Sequence, residues 1–302
     1  MKISVDGIYL PGNKTPIEGK QKECEDFILF GNLPIPHIIL CDGCSSTYNS
    51  ATGARILAHA AKKSLYNMIH VNRIMDIDYI GEEIIRRAQF VTETIGLNKD
   101  ALAATLIMSF YWDRKIHTYI YGDGVYFAKS SKMSICSTIN YDYESPYYLY
   151  YKIDPGAKYD YQLRLGSTEL SVSFHEEISK FYSGGQDVER KTTNRRRAFN
   201  YNHHFIAEIK EFSIHMVTSD GVSRFVNKEN TKRIPIEDMM DRLTKFKNTN
   251  GEFVKRRVLA EIKSLAKQGF DFYDDLAVAC FLTEEDNAEG SDSGTNETDN
   301  TG

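Results

Sequence analysis

With 302 residues and 41% hydrophobic side chains, the chain can bury a sizeable core without covalent staples, as one elaborated domain or two ordinary ones. Its net charge of −5 originates at the C-terminus: residues 283–302 hold seven acids and no base, so the remainder carries +2 and offers no electrostatic case for nucleic-acid binding. Five cysteines, an odd number, with no secretory apolar segment behind Met1, speak against a disulfide framework and for a reducing, cytoplasmic setting.

KISVDGIYL and EDFILFG read as strands with turn residues between them, and PHIILCDG follows as a third. Residues 51–68 are alanine-rich with helical spacing. A second helix is marked by Ile77, Ile80, Ile84, Ala88, Val91 and Ile95, which recur every three or four residues behind a candidate N-cap, Asp76. The longest apolar run, 101–112, is too short to span a bilayer and reads as a buried strand. ALAATLIMSFYW, KIHTYIYGDG and VYFAKSS then predict an antiparallel meander with tight turns at Asp113-Arg114 and Asp123-Gly124.

Eight tyrosines fall between residues 141 and 161, and a polar, arginine-rich stretch continues to Phe205. Periodicity is weak there, so an irregular insertion with some strand is expected over about 130–212. FSIHMVTSDG restores a strand, 235–246 and 251–268 read as helices, the second stopping at Gly269, and DDLAVACFL is a closing strand. EEDNAEGSDSGTNETDNTG lacks any aromatic or large aliphatic side chain and is expected to be disordered. The order predicts a single α+β domain over 1–282, with helices covering sheets, and an acidic tail over 283–302.

Three strands end on one dipeptide: Asp42-Gly43 in IILCDGC, Asp123-Gly124 in IYGDGV and Asp220-Gly221 in VTSDGV. Singly, Asp-Gly is a common turn pair. At the ends of buried strands it means more, because a carboxylate there is costly unless a cation meets it, and glycine lets backbone approach a ligand. Two further acid pairs start strands, Glu25-Asp26 the second and Asp274-Asp275 the last. Strand ends of packed sheets can meet at one rim, giving an all-oxygen site of the kind that suits Mg²⁺ or Mn²⁺. Two such ions about 3.5–4 Å apart can acidify a shared water and clamp the entering and leaving oxygens of a phosphoryl transfer. The residues alone therefore point to metal-assisted phosphate hydrolysis.

In order, ECEDFILF, IILCDGC, TGARILAHAA, LAATLIMSF with IYGDGVYF, MVTSDGV and DDLAVACF resemble the motifs of the protein phosphatase 2C family, in its divergent bacterial-type branch. The resemblance implies a two-sheet antiparallel β-sandwich flanked by helices on both sides. It also implies hydrolysis of phosphoserine and phosphothreonine in proteins by a metal-bridging water, with no phosphoenzyme. Position by position, it makes Asp42 the bridge between two metals and gives the Gly43 carbonyl to one of them. Asp220 and Asp274 hold the first metal, Glu25 serves the second with Asp26 as supporting acid, and Asp123 serves a third, weaker ion that Asp220 also approaches. The implied cofactor is Mg²⁺ or Mn²⁺, two ions with a third; the implied catalytic set is Asp42, Asp220 and Asp274. Implied partners are a phosphoprotein substrate and, at family level, a cognate kinase; the residues call for no nucleic acid, membrane or second copy, so a monomer is expected.

The chain departs from the family at several points. Gln21 stands where an arginine often grips the phosphate, and Lys20 or Lys22 would replace it only as a point charge without the guanidinium fork. Cys44 stands where eukaryotic members often have a histidine, Ser45-Ser46 replace a glycine pair, Gly124 replaces a serine, and Asp275 an asparagine. None removes a proposed carboxylate ligand. They leave open a second reading, a protein of this fold that binds phosphorylated partners without hydrolysing them, and a third, a hydrolase of another phosphate ester.

Other signals carry less. Cys41 and Cys44 form a C-x-x-C with no further zinc ligands spaced to help. His203-His204 reads as a solvated loop pair, His215 as a core or edge-strand residue, and ERKTTNRRRAF, 189–199, as a solvated loop where the family has its variable flap. The tyrosines suit either a partner surface or alternating strand positions.

Overall fold

The structure, a computed structural model, describes residues 2–13, 23–141, 144–164, 171–181, 188–198, 202–227, 229 and 231–284. Strands β1 (Lys2–Leu10), β2 (Asp26–Gly31) and β3 (His37–Gly43) lead into helices α1 (Ser50–His70) and α2 (Ile77–Thr94). β4 (Ala104–Trp112), β5 (Lys115–Tyr121), β6 (Gly124–Lys129) and β7 (Met133–Tyr141) follow. α3 (Pro155–Arg164) precedes β8 (Ser171–Phe181), β9 (Val188–Ala198), β10 (His203–Glu208) and β11 (Ile214–Thr218). β12 (Phe225–Asn227), α4 (Ile236–Leu243), α5 (Phe253–Lys267), β13 (Phe270–Phe272) and β14 (Leu276–Glu284) complete the order.

Two-residue periodicity sorts these strands into facing sheets. On β14, Leu276, Val278, Cys280 and Leu282 point to a core shared with Val254, Val258 and Leu265 of α5. The alternate residues Ala277, Ala279 and Phe281 point the other way, into a core shared with Ile39, Leu40 and Ile107 of the second sheet. One sheet runs β1-β14-β11-β6-β7-β8-β9 and the other β10-β5-β4-β3-β2, with β12-β13 as a separate pair. α1 and α2 cover the five-stranded sheet through Ala54, Leu57, Ala61, Leu65, Ile80, Ile84 and Ala88, all buried. The result is the α+β sandwich of two antiparallel sheets with helices on both sides that the motifs imply.

The expected boundaries hold where local signals are strong. Asp76 caps α2, its side chain accepting from the N–H groups of Asp78 and Tyr79. Asp113 and Arg114 both have positive φ, 47° and 62°, as a two-residue hairpin between β4 and β5 requires. The second expected turn is different. β5 and β6 do not pair; the chain leaves the five-stranded sheet after Tyr121 and enters the seven-stranded one at Gly124. Positive φ falls on Gly122 and Gly124, on either side of Asp123, so the dipeptide serves a crossing between sheets and not a meander turn.

Region 130–212 is more regular than expected. β7 pairs with β6 inside the sheet, and residues 189–198 lie in β9, paired along its length with β8, where a solvated loop is the sequence expectation. Phe199 is outside the described residues. The histidine pair is likewise strand and not loop: β10 seats His203 buried, and His204 stacks on His117 with ring centroids 5.4 Å apart. His215 is buried in β11 and packs on Phe212, as a core position should. Of the described tyrosines in 141–161, Tyr141 ends β7 and Tyr159 is exposed, while four others form a buried cluster. Tyr147, Tyr150, Tyr151 and Tyr161 are buried on one another, with Tyr151 and Tyr161 centroids 4.7 Å apart, and the Tyr161 hydroxyl donates to the Ser145 carbonyl at 2.7 Å. At the C-terminal end, Thr283 and Glu284 still pair with Ile3 and Lys2, so β14 runs two residues into the segment read as tail; residues 285–302 lie outside those described.

One Asp-Gly inside a strand has a purely architectural use. Asp6 of β1 is buried, and its Oδ2 accepts from the N–H of Val254 at 2.6 Å and of Lys255 at 3.2 Å. It thus caps α5 from a distant strand, satisfying donors at the helix start that Glu252 leaves without a side-chain cap. Removing the acceptor strands two helix-start donors at a buried join. Asp6→Ala is expected to cost roughly 1–3 kcal/mol, read as a lower urea midpoint at unchanged slope.

Candidate metal centre

Four strand ends meet at one rim of the sandwich. Asp42 is at the end of β3, Asp123 in the crossing from β5 to β6, Asp220 just after β11 and Asp274 just before β14. All four, with Gly43, line one cavity of about 530 Å³. The junction is held by backbone proximity: a Cβ on Gly221 would lie 1.8 Å from the Asp275 carbonyl oxygen. Glycine there lets the 3₁₀ turn Asp220–Arg224 rest on the backbone beside Asp274.

Behind the rim, polar side chains fix the acids. Asp26 faces Asp42 across the β2–β3 ladder and is almost fully buried. Ser219 ties it to the other sheet, donating to Asp26 Oδ2 at 2.7 Å while accepting from the Ala277 N–H at 3.0 Å. Asp275 accepts from the N–H of Gly12 at 2.8 Å and of Glu25 at 2.6 Å, joining the starts of β2 and β14. Glu25 stands apart from the cavity lining; its Oε1 accepts from the hydroxyl of Ser50 at the start of α1. Lys20, Gln21 and Lys22 lie outside the described residues.

The electrostatics of this arrangement are unfavourable without a counter-ion. Burial, then the charges of Asp26, Asp220 and Asp123, push the Asp42 carboxyl well above the usual range. Burial and Asp220 do the same to Asp123. Asp26 is raised chiefly by burial, partly offset by the Ser219 hydroxyl. Its Oδ1 is buried with no hydrogen-bond partner, and the Asp42 carboxyl beside it lowers the Asp26 pKa as Ser219 does. Among the described residues, no three His, Cys, Asp or Glu side chains are grouped so that they could hold a metal ion as they stand; the acids instead line a common space. An all-oxygen wall around a roomy cavity fits Mg²⁺ or Mn²⁺, which retain several waters, and a divalent charge would relieve the repulsion that now raises the carboxyls.

Comparison with known proteins bears on the fold that carries these acids. The sequence profile described as Protein phosphatase 2C matches residues 17–142. The fold is similar to that of the serine/threonine phosphatase Stp1 from Staphylococcus aureus, at TM-score 0.51 and 10% identity, covering 94% of this chain and 96% of that one. It is also similar to a C. elegans sex determining protein, at TM-score 0.50 and 13% identity, covering 93% of this chain and 65% of that one. The sequence likeness to protein phosphatase 2C lies in residues 17–142. No curated protein matches the sequence. At such identities the structural likeness is one of fold. No helix among the described residues is long and apolar enough to cross a membrane.

Sequence reasoning overlooked several residues of the cavity. Arg224, four residues after Asp220 on the same turn, lines it, as do Arg233, Glu144 and Tyr148. Burial works against the Arg224 charge, but Glu144, Asp220 and Asp274 outweigh it and hold the guanidinium protonated. The spacing Asp220-x-x-x-Arg224 is a legible signal once the turn is known to be helical. Glu144 and Tyr148, in the tyrosine-rich stretch, leave no such trace.

The direction of the carboxyl shifts sets a pH dependence. A carboxyl whose folded pKa lies above its unfolded value, about 3.9 for Asp, favours the fold while protonated and costs stability as pH rises through the folded value. A divalent ion needs the ionised form, so its stabilising effect must grow with pH. At about a hundredfold excess over its dissociation constant, Mn²⁺ is expected to raise the melting temperature by roughly 5–10 °C at pH 8 and by much less at pH 5. Equal shifts at both pH values in differential scanning calorimetry would contradict the reading.

Proposed function

We propose that this chain is a Mg²⁺- or Mn²⁺-dependent protein serine/threonine phosphatase. The observation that carries the reading is the convergence of Asp42, Asp123, Asp220 and Asp274, from four separate strand ends, on one cavity whose charge calls for divalent cations. Asp42, Asp220 and Asp274 would hold the principal ions with the Gly43 carbonyl, and Asp123 with Asp220 a further one. When bound, divalent ions supply an acidified water and a positive clamp for the transferred phosphoryl group.

The chain's own residues do the rest. Asp26, bonded to Ser219 and laddered to Asp42, keeps the Asp42 carboxylate aimed at the cavity. Asp275 fixes the entry of β2 against β14 through its bonds to Gly12 and Glu25. Cys44 and Ser46, hydrogen-bonded to each other at 3.0 Å, sit at the cavity edge without a general acid among them, which leaves leaving-group protonation to solvent. In this reading Glu25 acts on the second ion through Ser50 and the start of α1, or after its side chain turns toward the cavity. A phosphoprotein is the substrate class that fits a cavity open at a sheet rim, and a cytoplasmic monomer remains the expected form.

The experiment is hydrolysis of a phosphothreonine peptide over a Mn²⁺ titration. Wild type should release phosphate only with metal, and Asp42→Asn and Asp220→Asn should each lower kcat by at least about a hundredfold while Mn²⁺ affinity, measured by calorimetry, also falls. Binding of the peptide with no release at any metal concentration would favour the non-hydrolysing alternative.

A further inference from the structure

The cavity described above has a wall of acids and must nevertheless receive a dianion. Phosphate grip in the resembled family comes from an arginine at the position of Gln21, which cannot supply it here. Among the described residues lining the cavity, the cations are Arg224 and Arg233. We propose that Arg224 is the anchor for the substrate's phosphate, replacing the missing N-terminal arginine; this rests on the phosphatase reading.

Three observations single out Arg224. First, the turn Asp220–Arg224 delivers it and the metal-ligand candidate Asp220 together, so the guanidinium keeps a fixed register to any ion held by Asp220. Arg233 instead comes from the strand edge opposite Val226 and is exposed. Second, the Arg224 guanidinium is only partly committed. Its terminal nitrogen donates to Glu144 Oε2 at 3.2 Å and lies 4.0 Å from Asp220 Oδ2, while its Nε is buried with no acceptor. An N–H buried without an acceptor is costly, and a phosphate oxygen would satisfy it. With Nε and a terminal N–H aimed at adjacent oxygens, the fork can grip a phosphate in two-point fashion, which a lysine cannot do. Third, the Glu144 partner is itself 78% exposed in its side chain, so its bond to Arg224 is a weak surface pair that an incoming dianion with metal behind it can displace.

Glu144 then acts as a placeholder for the phosphate. It occupies the arginine in the empty cavity and yields it to substrate, so the anchor never rests as an uncompensated cation beside the metal ligands. Four aspartates and one glutamate against two arginines leave the cavity negative, so the anchor works only once divalent ions have reversed the local charge.

The test is titration calorimetry with inorganic phosphate on the full chain in Mn²⁺. Wild type should bind phosphate only with metal present. Arg224→Ala should weaken binding at least tenfold, the loss expected for a charged hydrogen bond, without weakening Mn²⁺ binding; Arg224→Lys should regain part of it, and Arg233→Ala should change it less than threefold. Glu144→Gln leaves Arg224 intact and removes its competitor, so phosphate binding should tighten a few fold even if the alanine variant folds poorly. Phosphate affinity within twofold of wild type in Arg224→Ala, or unchanged in Glu144→Gln, would overturn the assignment. If wild type hydrolyses phosphopeptide and Arg224→Ala still binds phosphate normally, the anchor fails and the phosphatase reading stands. If wild type neither hydrolyses phosphopeptide nor binds phosphate, both fail.

Discussion

Mutual repulsion among buried carboxylates is the constraint around which this structure is organised. Asp26 and Asp42 face one another across a ladder, Asp123 and Asp220 stand near them, and burial raises the cost of charge on Asp26, Asp42 and Asp123. Such a cluster cannot persist by local preference; it persists because two packed sheets deliver each residue from a different strand end and the core behind them leaves no alternative position. The fold therefore stores an electrostatic demand at its rim, which protonation of the carboxyls can meet and which a divalent cation would meet in the proposed reading.

The supports of the site are as informative as its walls. Ser219 and Asp275 neither line the cavity nor carry a reacting charge, yet each joins elements from distant parts of the chain: Ser219 links Asp26 to the start of β14, and Asp275 links β2 to the end of β1. Asp275 meets two N–H donors, one at each carboxylate oxygen, and a carboxylate can accept from both. The tyrosine cluster extends the main core, with Tyr147, Tyr150, Tyr151 and Tyr161 buried in it close in sequence to Glu144 and Tyr148 of the cavity.

Much of this was legible in the residues and some was not. Helix starts were readable because a cap such as Asp76 acts within one turn, and the Asp42, Asp220 and Asp274 positions were readable because a charge at the end of an apolar strand is conspicuous. Asp6-Gly7 shows the limit of that signal: the same dipeptide caps α5 and has nothing to do with the cavity. Region 130–212 holds more strand than its weak periodicity indicates, because β8 and β9 are ordered by pairing with each other and with β7. Glu25 was placed by motif, whereas its side chain answers to Ser50, a contact set by how α1 meets β2.

The sequence by itself marked the carboxylates at strand ends, the donor type that suits hard divalent ions. Tertiary structure decided which of those acids share a space, that the chain crosses between sheets at Asp123, and that Arg224 and Glu144 enter the same cavity. The reason is range. Propensity, capping and strand period act over a few residues and are written along the chain, while Coulomb interactions and packing act between residues up to about 250 positions apart, as between Glu25 and Asp275, and exist only once the two sheets have closed on each other.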